Sequence, residues 1–422
     1  VPIHKKGSRT DPLNYRPISL TCIASKLLEH IISHDINMFL DRHNLLSDCQ
    51  HGFRKRHGCD TQLLTTVTDL IESYDNKVPV DIAVLDFSKA FDVVSHQKLM
   101  SKVQAIGIHQ LTCNWLTSWL SNRFLSVTVN GAQSSQQAVT SGVPQGSVLG
   151  PLLFLIFIND MPSCVDHCNL RLFADDSLIY HEIASQASIV ELQSDLDRLA
   201  EWARTWQMSF NVSKCEHMRV TRKSDTGPVP MYNFDNTLLQ VKDIKYLGIH
   251  IDSHLSFDKH IQEICRKATN SLHMLMRNLK KARPKTRTIA YKTICRPVLE
   301  YASHSWSPHK MKHIDTIEAI NRKAFRWAHN KRKHDNISDL MRLHDWHVLA
   351  QRRQNADIKL YFRILSGTAA VDENKVQATH VTEHHTRTGP ISGTVHTDVK
   401  RYSFKFRVYN YLNPSTHKFS DL

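Results

Sequence analysis

The stretch that decides the fold is residues 170–181, which read LRLFADDSLIYH. Apolar segments flank the adjacent acids Asp175 and Asp176, and this pattern predicts a strand, a tight turn and a second strand. Aspartate is depleted in strands, and two neighbouring carboxylates repel each other unless a cation lies between them. The turn is therefore a candidate metal site, with an ordinary aspartate-capped β-turn as the alternative.

A third carboxylate, Asp86, ends the apolar run Ile82–Leu85 inside a predicted buried strand over residues 81–87. Three carboxylates on neighbouring strands would supply the hard oxygen ligands that Mg²⁺ prefers. Two such ions can stabilise the attacking and the leaving oxygen of a phosphoryl transfer. These acids therefore indicate metal-assisted phosphoryl transfer as the chemistry of the chain.

Further strand signals precede and follow this pair of motifs. Residues 124–130 alternate in polarity and lead into Asn130-Gly131, which favours a hairpin. Two more short strands are predicted between residues 231 and 251. Because strands interleave with helices and then give way to helices alone, the pattern predicts an α+β fold with a helical C-terminal part.

Helical periodicity appears in several segments. The apolar run Val148–Ile158 is too short to span a bilayer and is predicted to be a buried core helix. In the first helix, Ile23, Leu27 and Ile31 recur at helical spacing. Amphipathic helices are also predicted on either side of the short strands. With the first helix, the segments with helical periodicity are residues 22–40, 187–206, 257–280, 286–303 and 314–329.

Positive charge is concentrated in the last third of the chain. The 422 residues contain 54 Lys and Arg against 40 Asp and Glu, which gives a net charge of +14. Residues 1–280 are electrically balanced, so the whole excess lies in residues 281–422. Such clustering predicts a nucleic-acid partner, with a solvated helical surface as the alternative. The hydrophobic fraction of 41% excludes a wholly disordered or collagen-like chain.

Cysteine usage indicates a reducing compartment. The nine cysteines are scattered without a dense framework, which predicts reduced thiols and an intracellular location, in the nucleus, the cytoplasm or both. Cys164, His167 and Cys168 are close in sequence, but a structural zinc site needs a second ligand pair, and the neighbouring sequence has none. No zinc site is therefore predicted there.

Six motifs in order resemble the reverse transcriptases of non-LTR (LINE-type) retrotransposons, most closely the jockey-like group. Each motif alone is weak, whereas six in the expected order are specific. The resemblance covers at least residues 1–255 and implies a right-hand polymerase whose fingers and palm are built on an antiparallel sheet. The motifs are residues 14–20 (NYRPISL), 50–54 (QHGFR), 85–92 (LDFSKAFD), 141–151 (SGVPQGSVLGP), 173–176 (FADD) and 246–248 (YLG).

The resemblance implies catalytic roles for the acids around the turn. Asp86, Asp175 and Asp176 match the palm aspartates that bind two Mg²⁺ ions, with Mn²⁺ as an alternative. The backbone carbonyl of Phe87 is expected to join them as a metal ligand. Lys214 matches a lysine proposed to protonate the leaving pyrophosphate.

Other motif residues are expected to bind the incoming nucleotide. Phe91 matches the steric-gate position, where a large ring excludes a ribose 2′-OH and so selects dNTPs. Gln145 and Gly146 match the loop that packs on the nucleotide and the template. An arginine of the fingers holds the triphosphate, because a planar guanidinium suits phosphate oxygens. The predicted triphosphate-binding residues are Arg16, assisted by Lys5 or Lys6.

Residues 1–255 are predicted to form the fingers and palm. A thumb is predicted over residues 256–285, followed by a basic, mainly helical region over residues 286–422. Its aromatic residues are expected to pack the helices, so that the clustered cations face the template–primer backbone. Arg352 and Arg353 form one such basic pair. The residues predicted to bind nucleic acid are Lys281, Arg283, Lys285, Lys331, Arg332 and Lys333.

Together these features predict an RNA-directed DNA polymerase that extends a DNA primer with dNTPs on an RNA template, without a membrane partner. A fragment is expected, because an endonuclease domain would precede Val1 in a complete element. The alternative function is a decayed or repurposed copy that binds nucleic acid without polymerising. An intron-encoded maturase is a further alternative, against which the motif at residues 141–151 argues.

Overall fold

The computed structural model describes residues 1–5, 7–222, 229–377 and 397–412. Most strands in these ranges are short, and the two longest have seven residues each. The strands are β1 (Pro2–His4), β2 (Tyr15–Pro17), β3 (Val80–Asp86), β4 (Phe124–Leu125), β5 (Thr128–Val129), β6 (Ala132–Gln133), β7 (Gln137–Ala138), β8 (Asn169–Phe173), β9 (Asp176–Glu182), β10 (Glu216–Val220), β11 (Asn233–Phe234), β12 (Asn236–Thr237), β13 (Leu239–Gln240), β14 (Asp243–Tyr246) and β15 (Ile249–Asp252).

Helices surround the strands and make up the C-terminal part. In the described ranges no helix is both long enough and apolar enough to cross a membrane. The helices are α1 (Ile23–Arg42), α2 (Cys59–Asp75), α3 (His96–Ala105), α4 (Gln110–Leu120), α5 (Leu149–Ile158), α6 (Gln186–Trp206), α7 (Asp258–Asn278), α8 (Pro284–Ala290), α9 (Arg296–Glu300), α10 (Ser303–Trp306), α11 (Met311–Ala328), α12 (Ser338–Leu343), α13 (Leu349–Leu365), α14 (Asp398–Arg401) and α15 (Phe404–Leu412).

A five-stranded sheet in the order β13-β10-β3-β9-β8 forms the centre of the fold. β8 pairs antiparallel with β9 and β9 with β3, as the two strand motifs predict, whereas β10, which also pairs antiparallel with β3, was not among the predicted strands. β13 joins the edge of the sheet in parallel with β10. The sequence-distant motifs around Asp86 and Asp176 therefore lie on adjacent strands.

The sheet separates two hydrophobic cores, because successive side chains of a strand point to opposite faces. Ala83 and Leu85 belong to the first core, with residues of α3, α4, α5 and α6. Ile82 belongs to the second core, with residues of α2, α7 and α11. The apolar run at residues 149–158 is buried as the predicted core helix α5. Since α7 and α11 share one core with the sheet, the domain boundaries at 255 and 285 remain predictions.

The predicted first helix is confirmed as α1, but its apolar stripe is largely open to solvent. Ile23, Leu27 and Ile31 are 79%, 63% and 61% exposed. The opposite face packs instead, through Ile36 and the buried carboxylate of Glu29. That carboxylate accepts hydrogen bonds from the backbone N–H groups of Val148 and Leu149 at the start of α5. The buried face of α1 thus supplies a polar cap for the start of α5.

Three other sequence predictions need correction. The segment 124–130 forms two short strands rather than one, although the predicted Asn130-Gly131 hairpin joins β5 to β6 with both turn residues at positive φ. The region 231–251 contains five strand segments (β11–β15), not two. The predicted helix 286–303 is interrupted by a π-helical turn at Tyr291–Cys295 just before α9, whose second residue is Pro297. Proline lacks the N–H that a continuous α-helix would use there.

A buried ion pair crosses the sheet far from the FADD turn. Arg219 on β10 donates to both carboxylate oxygens of Asp81 on β3, from Nε over 2.6 Å and from Nη2 over 2.7 Å. The hydroxyl of Tyr232 donates to the same carboxylate over 2.6 Å. Asp81 is fully buried, so this bidentate pairing with a third donor is what makes its charge tolerable there.

Candidate active site

The three predicted carboxylates come together at one end of the sheet. In the antiparallel register Asp86, the last residue of β3, lies opposite Asp176, the first residue of β9. Phe173 at the end of β8 is paired with Asp176 from the other side, which leaves Ala174 and Asp175 to form the turn. The pairing of β3 with the β8–β9 hairpin therefore assembles the acids from two separate motifs.

The local environment favours protonation of two of these acids. Burial raises the pKa of Asp175, and the charge of Asp86 raises it further, whereas Arg16 and Lys5 lower it. Burial also raises the pKa of Asp176 to about 6, with further increases from Asp175 and Asp86. Asp176 is open to solvent on one side, but the surrounding protein atoms still desolvate its carboxylate. Mutual repulsion of this kind is what a cation between the carboxylates would relieve.

Lys214 lies beside the carboxylates. Its Nζ donates to Oδ2 of Asp86 over 2.6 Å from the end of the 3₁₀ turn Val212–Lys214. Phe87, the residue that follows β3, is buried with its ring stacked on Phe210 at a centroid distance of 4.1 Å. The structure thus brings Lys214 to Asp86, and it places the Phe87 backbone directly after that acid. The predicted roles of both residues remain predictions.

The donor chemistry of the three acids supports the metal-binding prediction, whereas the arrangement of their side chains does not yet do so. Three carboxylates at one edge, two of which have raised pKa values, suit a hard divalent cation such as Mg²⁺. In the ranges given above, however, no three His, Cys, Asp or Glu side chains converge as a metal-binding group. The Asp86 carboxylate is engaged by Lys214 instead. The residues therefore fit a divalent cation by chemistry, and their role as ligands stays a prediction.

Positive charge reaches the acids from the β1–β2 hairpin. Lys5 follows β1, and Arg16 lies in the middle of β2. Both side chains are exposed, and their charges lower the pKa of Asp175. Two of the predicted triphosphate-binding residues therefore lie close enough to the turn for their positive charge to attract a polyanion there. Lys6, the third residue of that prediction, lies outside the described residues.

The loop containing Gln145 and Gly146 is fixed from two directions. The N–H of Ser19 donates to the carbonyl of Gln145 over 2.8 Å, and Nε2 of Gln145 donates to Oδ1 of Asp92 over 2.8 Å. Gly146 has φ +103°, and a Cβ there would lie 2.9 Å from the carbonyl oxygen of Ser19. Glycine is therefore required for this close approach. Asp92 escaped the sequence assignment of roles, although it ends the motif at residues 85–92.

Phe91 is held by two aromatic neighbours. Its partly buried ring stacks on Phe154 at 4.3 Å and meets Phe53 edge-on at 6.4 Å between centroids. A ring fixed from two sides has the defined position that a steric gate requires. The same contacts also suit an aromatic residue of the core, so the gate role remains a prediction.

The predicted nucleic-acid-binding cations lie in two clusters at one end of the helical region. Buried Arg287 donates to the carbonyl of Lys280 after α7 and to the carbonyl of Trp327 in the last turn of α11. It therefore ties the end of α7, next to residues 281–285, to the end of α11, next to residues 331–333. The exposed cations of these two segments are Lys281, Arg283, Lys285, Lys331, Arg332 and Lys333. We call these six residues the basic surface.

The second basic pair is not part of a charged surface. Arg353 is 3% exposed, and Arg352 forms an ion pair with Glu300. Trp306, Phe325 and Trp346 of this region are buried in the core as predicted, whereas Phe362 is 54% exposed. The prediction that Arg352 and Arg353 belong to a phosphate-facing cluster is therefore wrong, because Arg353 is buried and the Arg352 guanidinium pairs with Glu300 of α9.

One buried side chain behind the FADD turn also escaped the sequence assignment of roles. Gln50 opens the motif at residues 50–54 and accepts hydrogen bonds from two backbone N–H groups, one of which belongs to Ala174. A glutamine within a recognised motif was the available signal. Its contact, however, joins residues more than a hundred positions apart, and the sequence does not show such pairing.

Comparison with known proteins identifies the family to which the chain belongs. The sequence profile described as "Reverse transcriptase (RNA-dependent DNA polymerase)" matches residues 3–251. The chain is 32% identical to a "Probable RNA-directed DNA polymerase from transposon X-element" of Drosophila melanogaster, over 77% of this chain and 36% of that protein. It is also 32% identical to the "RNA-directed DNA polymerase from mobile element jockey" of the same species, with the same coverage. The chain thus spans about a third of the length of these relatives.

Among solved structures, a telomerase from Candida albicans in complex with a fragment of telomeric RNA aligns over 74% of this chain and 59% of that chain. The identity is 12% and the TM-score 0.41, which is too distant to support a conclusion on its own. The family profile and the two relatives confirm the resemblance predicted from the six motifs. With the observed α+β architecture, they also confirm the right-hand polymerase fold.

Proposed function

Because the chain belongs to the reverse transcriptase (RNA-dependent DNA polymerase) family, we propose that it acts as an RNA-directed DNA polymerase of a non-LTR retrotransposon. The substrates are an RNA template, a DNA primer and dNTPs, and the site of action is intracellular. The register that sets Asp86 opposite Asp176, next to Asp175, is the observation that carries the proposal. The relatives named above, which are described as RNA-directed DNA polymerases, support it.

Nucleotide addition follows from the residues at this edge of the sheet. Asp86, Asp175 and Asp176 would hold the divalent ions, with Mg²⁺ as the expected metal. When bound, such ions would favour loss of the primer 3′-OH proton to solvent water and would offset charge on the triphosphate. The 3′-oxygen forms a bond to the α-phosphorus while the bond to pyrophosphate breaks, and Lys214 Nζ delivers a proton to the leaving pyrophosphate. Positioning and electrostatics supply most of the catalysis in reactions of this class.

The flanking residues bind and select the nucleotide. Arg16 and Lys5 contact the triphosphate oxygens, for which their exposed charges near Asp175 are suited. The Phe91 ring excludes a 2′-OH, while Gln145, oriented by Asp92, packs on the incoming nucleotide. The basic surface contacts the phosphate backbone of the template–primer duplex.

The test is primer extension by the full chain on an RNA template with an annealed DNA primer, dNTPs and Mg²⁺. Asp175→Asn is the matched control, because it keeps the size of the side chain and removes its charge. We expect the wild type to extend the primer and the variant to bind the template–primer equally well without extending it. Equal extension by both proteins would contradict the site assignment.

The same assay addresses the alternative function. A wild type that binds the RNA–DNA duplex but adds no nucleotide would favour a copy that has lost or changed its activity. The intact set of carboxylates at residues 86, 175 and 176 favours the polymerase.

A further inference from the structure

Gln50 lies directly behind the turn that carries Asp175. The residue is 2% exposed. Its Oε1 accepts a hydrogen bond from the N–H of Gly52 over 2.7 Å and another from the N–H of Ala174 over 2.8 Å. Its Nε2 faces the carbonyl of Ala174 at 3.5 Å. One side chain therefore contacts both polar backbone atoms of the residue before Asp175.

Ala174 has the backbone conformation that most needs such support. Its φ is +53°, in the left-handed region that residues with a Cβ rarely adopt. Strained backbone of this kind persists only where the surrounding structure fixes it. The orientation of the Ala174 peptide also sets the direction in which the next residue, Asp175, leaves the turn.

The main chain around Gln50 joins the same region to the edge of the sheet. The N–H of His51 donates to the carbonyl of Leu172 over 2.8 Å, and the N–H of Leu172 donates to the carbonyl of Cys49 over 2.9 Å. Gly52 approaches so closely that a Cβ there would lie 2.4 Å from the nitrogen of Ala174. The segment 49–52 therefore behaves as a short extra strand behind the turn.

We propose that Gln50 is a positioning residue for the active site, holding Ala174 in its left-handed conformation so that Asp175 and Asp176 face Asp86. The inference rests on the proposed polymerase function for its catalytic consequence, whereas the hold on the turn is a property of the protein alone. Gln50 itself touches neither substrate nor metal.

Hydrogen–deuterium exchange of the metal-free full chain tests this directly. Gln50→Met keeps the length of the side chain and removes the acceptor oxygen. The amide of Ala174 should then exchange roughly tenfold faster, as the loss of one buried hydrogen bond implies. Gln50→Glu retains an acceptor at the same position and should restore slow exchange at Ala174.

Asn321→Leu is the matched control for a nonspecific loss of stability. Asn321 is also a buried amide whose oxygen accepts two hydrogen bonds, from the Tyr291 hydroxyl over 2.9 Å and from Trp346 Nε1 over 2.7 Å. It lies on α11, remote from the turn, so its replacement should leave exchange at Ala174 unchanged. Slow exchange at Ala174 in Gln50→Met, or equal acceleration in Asn321→Leu, would overturn the proposal.

A kinetic measurement connects the turn to catalysis. In Gln50→Met the rate constant for adding one nucleotide should fall at least tenfold, while the dissociation constant for template–primer stays unchanged. A rate equal to that of the wild type would overturn the catalytic part of the proposal. If the wild type itself adds no nucleotide, the proposed function fails, and the exchange experiment still decides whether Gln50 fixes the turn.

Discussion

The two ends of strand β3 carry the same residue type in opposite electrostatic settings. Asp81 is buried, and Arg219 and Tyr232 satisfy its carboxylate with three hydrogen bonds. Asp86 lies five residues along the strand, on the opposite face, beside the two acids of the FADD turn. Its cation partner is Lys214, whose side chain is 54% exposed.

This difference separates a structural charge from a functional one. At Asp81 the protein supplies a complete set of donors, so the charge is neutralised and the site has no capacity for a ligand. Around Asp86, burial raises the pKa of Asp175 and Asp176, and the neighbouring carboxylates raise it further. Acids kept close together with raised pKa values are typical of a site that binds a cation or does chemistry.

Removing the charge at the functional end should have the largest effect. Asp86→Asn is expected to slow nucleotide addition by about 10³-fold or more, since metal-assisted charge stabilisation contributes several kcal/mol and each 1.36 kcal/mol is tenfold in rate. The measurement is single-turnover incorporation of one dNTP at saturating template–primer. A decrease smaller than tenfold would show that Asp86 is not part of the catalytic set.

Breaking the structural ion pair should instead cost folding free energy. Arg219→Met leaves the Asp81 carboxylate buried without its guanidinium partner, and we expect a loss of about 3–5 kcal/mol in the free energy of unfolding. Urea denaturation followed by circular dichroism measures it. The double variant Asp81→Leu/Arg219→Met removes both charges and should recover most of the loss. No recovery would mean that packing, rather than the unpaired charge, explains the effect.

The basic surface offers a positive counterpart, in which six exposed cations are clustered by Arg287. Replacing Lys331, Arg332 and Lys333 with Gln should reduce the slope of log affinity against log salt by up to about 2–3, because each phosphate contact contributes about 0.7–0.9. Fluorescence anisotropy with a labelled RNA–DNA duplex between low and moderate salt gives the slope. Point substitution is preferable to deletion, since α11 contributes to the second core.

A control with the same charge change distinguishes a local surface from a diffuse field. Lys312, Arg322 and Lys323 are also exposed on α11 but do not belong to the basic surface. Their replacement with Gln should change the slope much less. An equal change in both triple variants would indicate that total charge, and not the surface assembled by Arg287, governs binding.

The smallest expected effect is a gain in the free energy of unfolding of Asp176→Asn, which should depend on pH. The folded protein raises the pKa of Asp176 from its ordinary 3.8 to about 6. Between these values the folded state binds a proton that the unfolded state has released, so the ionised group destabilises the fold fully only above about pH 6. Asp176→Asn should therefore stabilise the metal-free protein at pH 7, by about 1 kcal/mol after solvent screening.

The same substitution should have no stabilising effect near pH 4, where the carboxyl is largely protonated in the folded state. Thermal unfolding in the presence of a chelator at both pH values checks the difference. A gain of equal size at pH 4 and pH 7 would contradict repulsion between the carboxylates as its cause.

Much of the candidate site could be predicted from local sequence. Asp86 and the Asp175–Asp176 pair interrupt apolar runs, so both the strands and their unusual acids are visible without a structure. The Asn130-Gly131 turn and the core helix α5 likewise follow from rules that act over a few residues. The register that sets Asp86 opposite Asp176 adds the distance information that the motifs lack.

Features that depend on long-range contacts could not be predicted. The buried face of α1 contains Glu29, whose partner at the start of α5 is more than a hundred residues away. Local sequence does not show that Asp81 is paired, because its partner Arg219 lies on a strand that is distant in sequence. The burial of Arg353, and the use of Gln50 to hold a distant turn, are equally invisible to periodicity and composition.

The most direct test compares Asp81→Asn with Asp86→Asn in one experiment that records both the free energy of unfolding and the rate of RNA-templated nucleotide addition per folded molecule. We predict a crossed result, in which Asp81→Asn loses stability and keeps its rate, whereas Asp86→Asn keeps its stability and loses its rate. If both variants lose rate in proportion to stability, the two ends of β3 are equivalent, and the assignment of an active site to the Asp86 end is contradicted.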